Sequence, residues 1–178
     1  MFSVREIKQS DVPLIVDYWF SATDEHLIGM GVDLKKMPSK EQFATYLSQQ
    51  ASFPIGDKQS YCLIWEIDGR PAGHNNINKI EFDKAASMHL HLWDGTHRKK
   101  GAGTKLIKLA LPFFFETYRL AKLYCEPYAL NPAPNRTLER LGFTFARKYV
   151  TIPGNINFEQ EVNRWELSRD HYLQLLKK

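Results

Sequence analysis

The hydrophobic periodicity of the chain changes at a Gly-Ala-Gly sequence, positions 101–103. Before it, the segment MHLHLWD (88–94) alternates with a period of two, which is the pattern of a β-strand. After it, apolar residues recur at the spacing of an α-helix, as far as Phe114. A strand must therefore pass into a helix at these glycines. Pro112 is expected to kink or restart that helix, because proline lacks the N–H group that helical bonding needs.

The remaining periodicity defines the fold class. Strand patterns occupy residues 2–7, 60–67, 71–82, 88–94, 120–127, 143–152 and 161–168, and helix patterns occupy 13–22, 39–49, 131–143 and 169–178. Hairpin turns link the second, third and fourth strands, which makes them antiparallel, and one helix crossover follows. The predicted fold is α/β (α+β), with a mixed, mostly antiparallel sheet flanked by helices. A length of 178 residues favours a single domain, 1–178.

The stretch between the first two predicted helices, Thr23 to Pro38, is polar and contains glycines, and we expect a loop or a short broken helix there. At its end, Ser39 and Gln42 have the spacing of a capping box and predict the start of the second helix.

Composition and charge exclude several classes. Cys62 and Cys125 belong to no CxxC pair, so we expect buried reduced thiols and no metal site. No segment has the apolar length of a signal peptide or a membrane span, and a cytoplasmic location without membrane contact is expected. The net charge of +4 is mild and fits either simple solubility or a polyanionic partner.

The glycine turn is suited to bind an anion. The first N–H groups of a helix have no intrahelical partner, and the helix dipole adds positive charge there. Gly101 and Gly103 leave these donors accessible, and Arg98, Lys99 and Lys100 add charge, so a pyrophosphate site is predicted. The GxxxxGK[ST] spacing of a Walker A loop is absent, and Leu106 stands where a dinucleotide fingerprint needs a third small residue.

Two motifs together resemble one family. Residues 98–103, RKKGAG, fit the R/Q-x-x-G-x-G/A signature of the GNAT superfamily of acyl-CoA-dependent N-acyltransferases. Residues 131–143, NPAPNRTLERLGF, resemble the family's later helix, commonly written N-x-A-S-x-R-h-L-E-K-L-G-F. The tail NRWELSRDHY is similar to the closing strand and helix of the RimJ/RimL-like branch, which acetylates protein N-terminal α-amino groups. The resemblance runs from about Phe2 to the C-terminus.

The resemblance implies the GNAT fold and an N-acetyltransferase. Acetyl-CoA would be the acyl donor and a primary amine would attack it directly in a ternary complex, with a small molecule or a peptide as acceptor. The pyrophosphate would lie on the turn, and the pantetheine between two splayed parallel strands. The cofactor-binding residues it implies are Leu92, Trp93, Arg98, Lys99, Lys100, Gly101, Ala102, Gly103, Thr104 and Asn131.

The family's Ser or Tyr that meets the leaving thiolate is missing, since Pro134 and Leu138 occupy those positions. This departure keeps open an alternative, a non-catalytic module that binds CoA or another polyanion. Nucleic acid binding has only the short basic cluster in its favour and is not expected. A monomer or a homodimer is expected.

The sequence offers three candidate catalytic residues. Tyr128, on the connection after the second cleft strand, is a candidate general acid or a half-buried packing residue. Alternation in MHLHLW places His89 and His91 on the face opposite Met88 and Leu90, so either histidine is a candidate base, His91 slightly more so. The other interpretation is a pair of hydrogen-bonded histidines on a half-exposed sheet face, with water as the proton acceptor.

Less favoured candidates for the base are Glu81 and Glu126. The stretch from Thr23 to Pro38 also carries charged and titratable residues that either attract a cationic amine or belong to a solvated loop. These residues are Asp24, Glu25, His26 and Asp33.

Overall fold

The structure is a computed structural model that describes residues 1–93, 95 and 101–177. Its strands are β1 (Phe2–Glu6), β2 (Ser60–Ile67), β3 (Arg70–Glu81), β4 (Ala85–Leu92), β5 (Lys122–Cys125), β6 (Thr144–Thr151) and β7 (Gln160–Ser168). Its α-helices are α1 (Val12–Phe20), α2 (Asp24–Gly29), α3 (Lys40–Ser52), α4 (Ala102–Thr117), α5 (Pro132–Leu141) and α6 (Arg169–Leu175). Short 3-10 helices lie at Gln9–Asp11, Leu34–Lys36 and Ile55–Asp57.

The strands form one seven-stranded sheet in the order β1-β2-β3-β4-β5-β7-β6. Only the β4–β5 pair is parallel, and every other pair in the described sheet is antiparallel. The predicted fold class is therefore confirmed. The capping box at Ser39 and Gln42 is present, with both reciprocal hydrogen bonds at the start of α3.

Two details differ from the sequence prediction. Strand β4 begins at Ala85, inside the segment expected to turn, so the β3–β4 turn is shorter than predicted. Helix α4 continues through Pro112 without a restart. The ring removes one hydrogen bond, to the carbonyl of Lys108, and Lys108 is exposed, so water can satisfy that carbonyl while the buried face of the helix stays packed.

Two hydrophobic cores lie on opposite faces of the sheet. Strand β2 contributes to both because its side chains alternate, with Cys62 and Ile64 facing α1 and α3 while Leu63 and Trp65 face α4. Cys62 and Cys125 are free and buried, as predicted, and burial raises the pKa of each thiol to about 12. Neither thiol ionises near neutral pH, so both act as packing residues.

Strand β4 places different chemistry on its two faces. Met88, Leu90 and Leu92 pack into the core beneath α4, with Met88 fully buried. His89 and His91 lie on the other face, which α1 and α3 cover. The predicted division of this strand is confirmed. Its consequence is that both histidines lie on the face that holds the larger cavity described below.

The entry to α1 is fixed by a buried carboxylate. Asp11 is only 3% exposed and accepts hydrogen bonds from both terminal nitrogens of Arg5, at 2.6 and 2.9 Å, and from the N–H of Lys8 at 2.7 Å. Burial alone would raise the pKa of Asp11, but the hydrogen bonds from Arg5 and Lys8 outweigh it and lower that pKa. Helix α1, which carries Tyr18 and Trp19 toward the histidines, is anchored through this contact.

We expect Asp11→Asn to lower the free energy of unfolding by about 1–3 kcal/mol at pH 7, because it removes a charged acceptor of several buried hydrogen bonds. The folded-state pKa of Asp11 lies below its unfolded value. The difference in the free energy of unfolding between wild type and variant is therefore fully present above the unfolded-state pKa of about 4. It disappears as the pH falls through the folded-state pKa of Asp11. Urea unfolding at a series of pH values measures it.

Asp83→Asn is the matched control, because Asp83 pairs with Arg119 on the surface, where both partners are well exposed. An Asp11→Asn effect no larger than that of the control would show that the buried contact does not anchor α1.

Candidate active site

A cleft opens where β4 and β5 separate. The two strands pair at Ala85–Lys122, Ala86–Leu123 and Ser87–Tyr124, and no further pair follows. Beyond this point a cavity of about 100 Å³ lies between residues 88–91 of β4 and residues 125–128. Asn131 and Pro134, at the start of α5, complete its wall. The expected splay of two parallel strands is thus present.

The backbone of β4 presents two peptide groups to this cleft. The N–H of Trp93 donates to the carbonyl of Ala72 at 2.9 Å, which directs its peptide toward β3. Peptide groups alternate between the two edges of a strand, so Leu90 and Leu92 direct theirs toward the cleft. Of the two residues predicted at the cofactor edge, Leu92 directs its peptide group toward the cleft, whereas the N–H of Trp93 points toward β3 and is bonded to Ala72.

The glycine turn stands at the start of α4. Gly101 has φ +74° in the left-handed region and caps the helix, which begins at Ala102. A Cβ atom built on Gly103 would meet no heavy atom of the described residues within 4 Å, so these residues leave space beside the first helical turn. The N–H groups of Ala102, Gly103 and Thr104 have no intrahelical acceptor by position. The predicted basic residues Arg98, Lys99 and Lys100 lie outside the described residues.

A second, larger cavity of about 630 Å³ lies on the face of β4 that carries His89 and His91. Its wall is apolar and comes from α1 and α3, with Trp19 and Phe43 in edge-to-face contact. Its floor is polar and comes from β3 and β4. Four residues line both this cavity and the cleft between β4 and β5: Met30, His89, His91 and Asn157. The two cavities therefore meet at the histidine pair.

A roof over the larger cavity comes from the segment between β6 and β7. The N–H of Asp33 donates to the carbonyl of Ile156 at 2.8 Å, and the side chains of Asn157 and Gln160 both donate to the carbonyl of Gly31 at 2.8 Å. Gly31 has φ +84°, and a Cβ there would collide with the Gln160 amide, so only glycine fits this junction. The β6–β7 connection is thereby tied to the chain after α2.

His91 lies in an aromatic cluster. Its ring centroid is 4.9 Å from that of Trp19 and 5.6 Å from that of Tyr18, and its Nδ1 lies 3.3 Å from the Tyr18 hydroxyl oxygen. Nε2 is the ring nitrogen that remains for another partner. His89 uses its own Nε2 in a 3.1 Å hydrogen bond with the Asn78 side-chain oxygen.

A third histidine completes the group. His74 lies directly opposite His91 in the β3–β4 register, and the rings stack with centroids 4.7 Å apart. The indole N–H of Trp93 donates to Nδ1 of His74 at 2.7 Å, which places the His74 proton on Nε2. Sequence reasoning missed His74. The pattern that could have identified His74 is the register of the β3–β4 hairpin, which pairs His74 with His91.

All three imidazoles are kept neutral by their surroundings. Removal from water lowers the pKa of His74 to about 3 and that of His89 to about 4. Lys79 contributes to the shift at His89 by charge repulsion. The pKa of His91 is lowered well below its ordinary value, first by burial and then by the charges that His74 and His89 would carry. Unprotonated imidazole nitrogens are therefore available at neutral pH.

The other predicted residues take distinct places. Tyr128 lines the cleft and packs edge-to-face on Phe158, and no described residue forms a hydrogen bond with its hydroxyl group. Asn131 caps α5 and lines the same cleft. Pro134 also faces the cleft, whereas Leu138 is fully buried in the core and cannot reach it.

The acidic candidates are engaged elsewhere or exposed. Glu126 lines the cleft, but its carboxylate is paired with Arg164 at 2.7 Å and also accepts from the Tyr149 hydroxyl. Glu81 pairs with Lys84 in the exposed β3–β4 turn. In the stretch from residue 23 to 38, which forms α2 and a 3-10 helix, no Asp or Glu lines the larger cavity.

Among the residues that the structure describes, no three His, Cys, Asp or Glu side chains group in a way that would hold a metal ion. Over the same residues, no helix has the length and apolar character to cross a membrane.

Solved structures share this architecture. An aminoglycoside acetyltransferase AAC(6')-Ib in complex with coenzyme A matches with a TM-score of 0.74 at 14% identity, over 98% of each chain. Spermidine N-acetyltransferase from Vibrio cholerae, in complex with CoA and spermine, matches with a TM-score of 0.76 at 19% identity, over 97% of this chain and 98% of that one. RimL, a ribosomal L7/L12 alpha-N-protein acetyltransferase, matches with a TM-score of 0.75 at 16% identity, over 96% and 95%. These identities are low enough that the likeness concerns the fold.

Sequence comparison gives the family. No curated protein sequence matches the chain. The sequence profile of the Acetyltransferase (GNAT) family matches residues 32–143, a range that includes α3, strands β2 to β5, the glycine turn and α5. The chain therefore belongs to the GNAT family of acetyltransferases, enzymes whose acyl donor is acetyl-CoA.

Proposed function

We propose that the protein, as one domain over residues 1–178, transfers an acetyl group from acetyl-CoA to a primary amine by direct attack within a ternary complex. The observation that supports this most is the meeting of two cavities at His89 and His91. A donor in the β4–β5 cleft and an acceptor in the larger cavity would bring thioester and amine together at that junction, without a covalent enzyme intermediate.

The donor would bind along the cleft. Its pyrophosphate would lie on the N–H groups of Ala102, Gly103 and Thr104, which have no helical partners. Peptide groups of Leu90 and Leu92 would bond the pantetheine arm, and Asn131 would meet it from the start of α5. Arg98, Lys99 and Lys100 would add charge around the phosphates, so that binding weakens with salt.

The reaction forms one bond and breaks one. The amine nitrogen adds to the thioester carbonyl carbon, and the C–S bond of the resulting tetrahedral intermediate then breaks to release the CoA thiolate. An N–H group of β4 is the available donor for the developing oxyanion. The ammonium proton leaves before attack, and the thiolate receives a proton after it.

His91 is the proposed acceptor of the ammonium proton, directly or through one water molecule. Its place at the junction, with Nδ1 beside Tyr18 and Nε2 available, supports this role. Because its pKa is lowered, His91 would hold the proton only briefly and pass it to solvent through the larger cavity. His89, whose Nε2 is bonded to Asn78, would hold the neutral amine in place.

Tyr128 is the proposed donor of the proton to the thiolate. It lines the cleft on the side opposite β4, and the described residues leave its hydroxyl without a competing hydrogen bond. With Pro134 and Leu138 at the family's usual positions, Tyr128 is the hydroxyl that can take this role.

By its closing strand and helix we assign the chain to the RimJ/RimL-like branch of the family, and this assignment concerns the architecture and not the protein acceptor of that branch. The tail NRWELSRDHY supports the assignment, since it forms the end of β7 and the start of α6. Strand β7 also carries Trp165 and Asn163, which hold the side chain of Asn135 in α5. The closing strand thus supports the helix beside the cleft.

Gly103→Glu should abolish the rise in melting temperature that acetyl-CoA causes, because it places a carboxylate where the pyrophosphate binds. Gly103→Ala is the matched control, since a Cβ there meets no atom of the described part of the chain within 4 Å. Differential scanning fluorimetry with and without acetyl-CoA measures both. Retention of the full shift by Gly103→Glu would overturn the donor site.

His91→Gln should lower kcat/KM by about 10²-fold in a thiol-release assay, the loss expected for a general base. The acidic limb of the pH profile that belongs to His91 lies below its ordinary pKa and should disappear. Acetyl-CoA binding should not change. His171→Gln in α6 serves as the control. An unaltered rate and acidic limb would return the histidines to a packing role and leave water as the acceptor.

Tyr128→Phe should lower kcat by about 10- to 10²-fold while the acetyl-CoA thermal shift is retained, because only proton donation to the thiolate is lost. Tyr172→Phe, in the core against Phe115, controls for loss of a buried hydroxyl. If wild type binds acetyl-CoA but releases no thiol with any amine in a broad panel, the protein is instead the non-catalytic module.

A further inference from the structure

The ionic lining of the larger cavity is positive. Among the described residues that line it, two are lysines, Lys36 and Lys79, and none is Asp or Glu. The remaining polar groups are amides, hydroxyls and the three histidines, which burial keeps neutral. In the adjoining cleft the carboxylate of Glu126 is neutralised by Arg164. A cation entering the larger cavity therefore meets no described carboxylate in its lining.

Lys79 is the cation that lacks an acidic partner. Its Nζ donates to the carbonyl of Pro153 in the roof at 2.9 Å, and no described carboxylate forms an ion pair with it. An ammonium group has three donors, so two remain. Its charge reaches the junction, because it contributes to the lowered pKa of His89.

The backbone at Lys79 is held in an unfavourable conformation. Its φ is +48°, in the left-handed region, and the β3–β4 register shifts between Asn78 and Glu81 at the same place. A non-glycine residue in this region is conformationally strained, and such residues cluster at functional sites. The bulge re-aims the Lys79 side chain toward the roof and the cavity.

Lys36 differs in its surroundings. Its Nζ donates to the carbonyl of Asn157 at 2.8 Å and lies 3.9 Å from Asp33, which offsets its charge. The uncompensated positive charge of the cavity thus resides at Lys79. Opposite the polar floor, Trp19 and Phe43 form an apolar wall against which an apolar side chain of an acceptor can pack.

We propose that the acceptor is a free amino acid with an apolar side chain, whose carboxylate binds Lys79, whose side chain packs on Trp19 and Phe43, and whose amine lies at His89 and His91. This inference rests on the proposed N-acetyltransferase function. A polyamine or an aminoglycoside would bring several positive charges to Lys79 with no described carboxylate in the cavity lining to offset them. A carboxylate at Lys79 instead forms a charge-assisted hydrogen bond.

The test compares an acid with its amide. Thiol release at saturating acetyl-CoA is measured for L-phenylalanine, L-phenylalanine amide, spermidine and a short peptide with a free N-terminus. In wild type, L-phenylalanine should give the highest kcat/KM of the four. Lys79→Gln should lower kcat/KM for L-phenylalanine by about tenfold or more and leave the amide within about twofold. Each substrate is compared between Lys79→Gln and wild type as a ratio of kcat/KM values, so the difference in amine basicity between the acid and the amide cancels.

Two further variants complete the design. Lys84→Gln makes the same chemical change in the exposed turn between β3 and β4, outside the cavity. It should leave kcat/KM unchanged for both the acid and the amide. Lys79→Arg keeps the charge and should retain most of the preference for the acid, which separates lost charge from lost folding.

The outcomes are distinguishable. An equal loss for acid and amide in Lys79→Gln, or a higher kcat/KM for spermidine or the peptide than for L-phenylalanine, would overturn this inference and leave the proposed acetyl transfer intact. No thiol release with any of the four amines or with a broader amine panel would overturn the proposed function and the inference together.

Discussion

The two-sided chemistry of β4 is the constraint on which the site depends. Its even-numbered side chains lie in the core under α4, and His89 and His91 on its other face lie at the junction of the two cavities. A shift of register by one residue would bury His89 and His91 under α4 and place Met88 and Leu90 in the cavity, so packing and function enforce the same register. Peptide direction follows the same alternation. Leu90 and Leu92 therefore pack their side chains against the core and direct their peptide groups toward the cleft.

The charge of the larger cavity bears on the proposed acceptor. Two solved structures that share the fold are complexes with spermine or with kanamycin, and both compounds are polycations. The cavity described here is lined by Lys79 and neutral histidines, and none of its described lining residues carries a carboxylate. The proposed acceptor therefore follows from the charged residues that line this cavity and not from the fold.

Local patterns predicted much of this molecule. Three features depend only on neighbours within a few residues and could be predicted from the sequence alone. They are the alternation in β4, the capping box at Ser39 and the glycine turn. The cleft between β4 and β5 followed from the resemblance to a family. The continuity of α4 through Pro112 was missed, because the packing of a buried face outweighs one lost hydrogen bond.

What the sequence did not reveal depends on contacts between distant segments. His74 reaches the site through strand register and through Trp93, and Lys79 reaches it through a bulge and a roof residue 74 positions away. Whether the acidic residues between positions 23 and 38 can attract a cationic amine also depends on how far they lie from the cavity. Asp24 and Glu25 begin α2 on the exposed surface, and Asp33 caps a 3-10 helix, so none of the three lines the cavity.

The short parallel pairing between β4 and β5 has a consequence for how the molecule opens. Three residue pairs join two half-sheets, β1 to β4 and β5 to β6, and each half is continuous and antiparallel within itself. Local opening is cheapest where few hydrogen bonds must break, so the seam between the halves is the weakest line in the sheet. A donor bound in the cleft would form hydrogen bonds with the β4 backbone where β4 and β5 separate, in the place of a paired strand. Amide hydrogen exchange on both sides of the seam would then slow together when the donor binds.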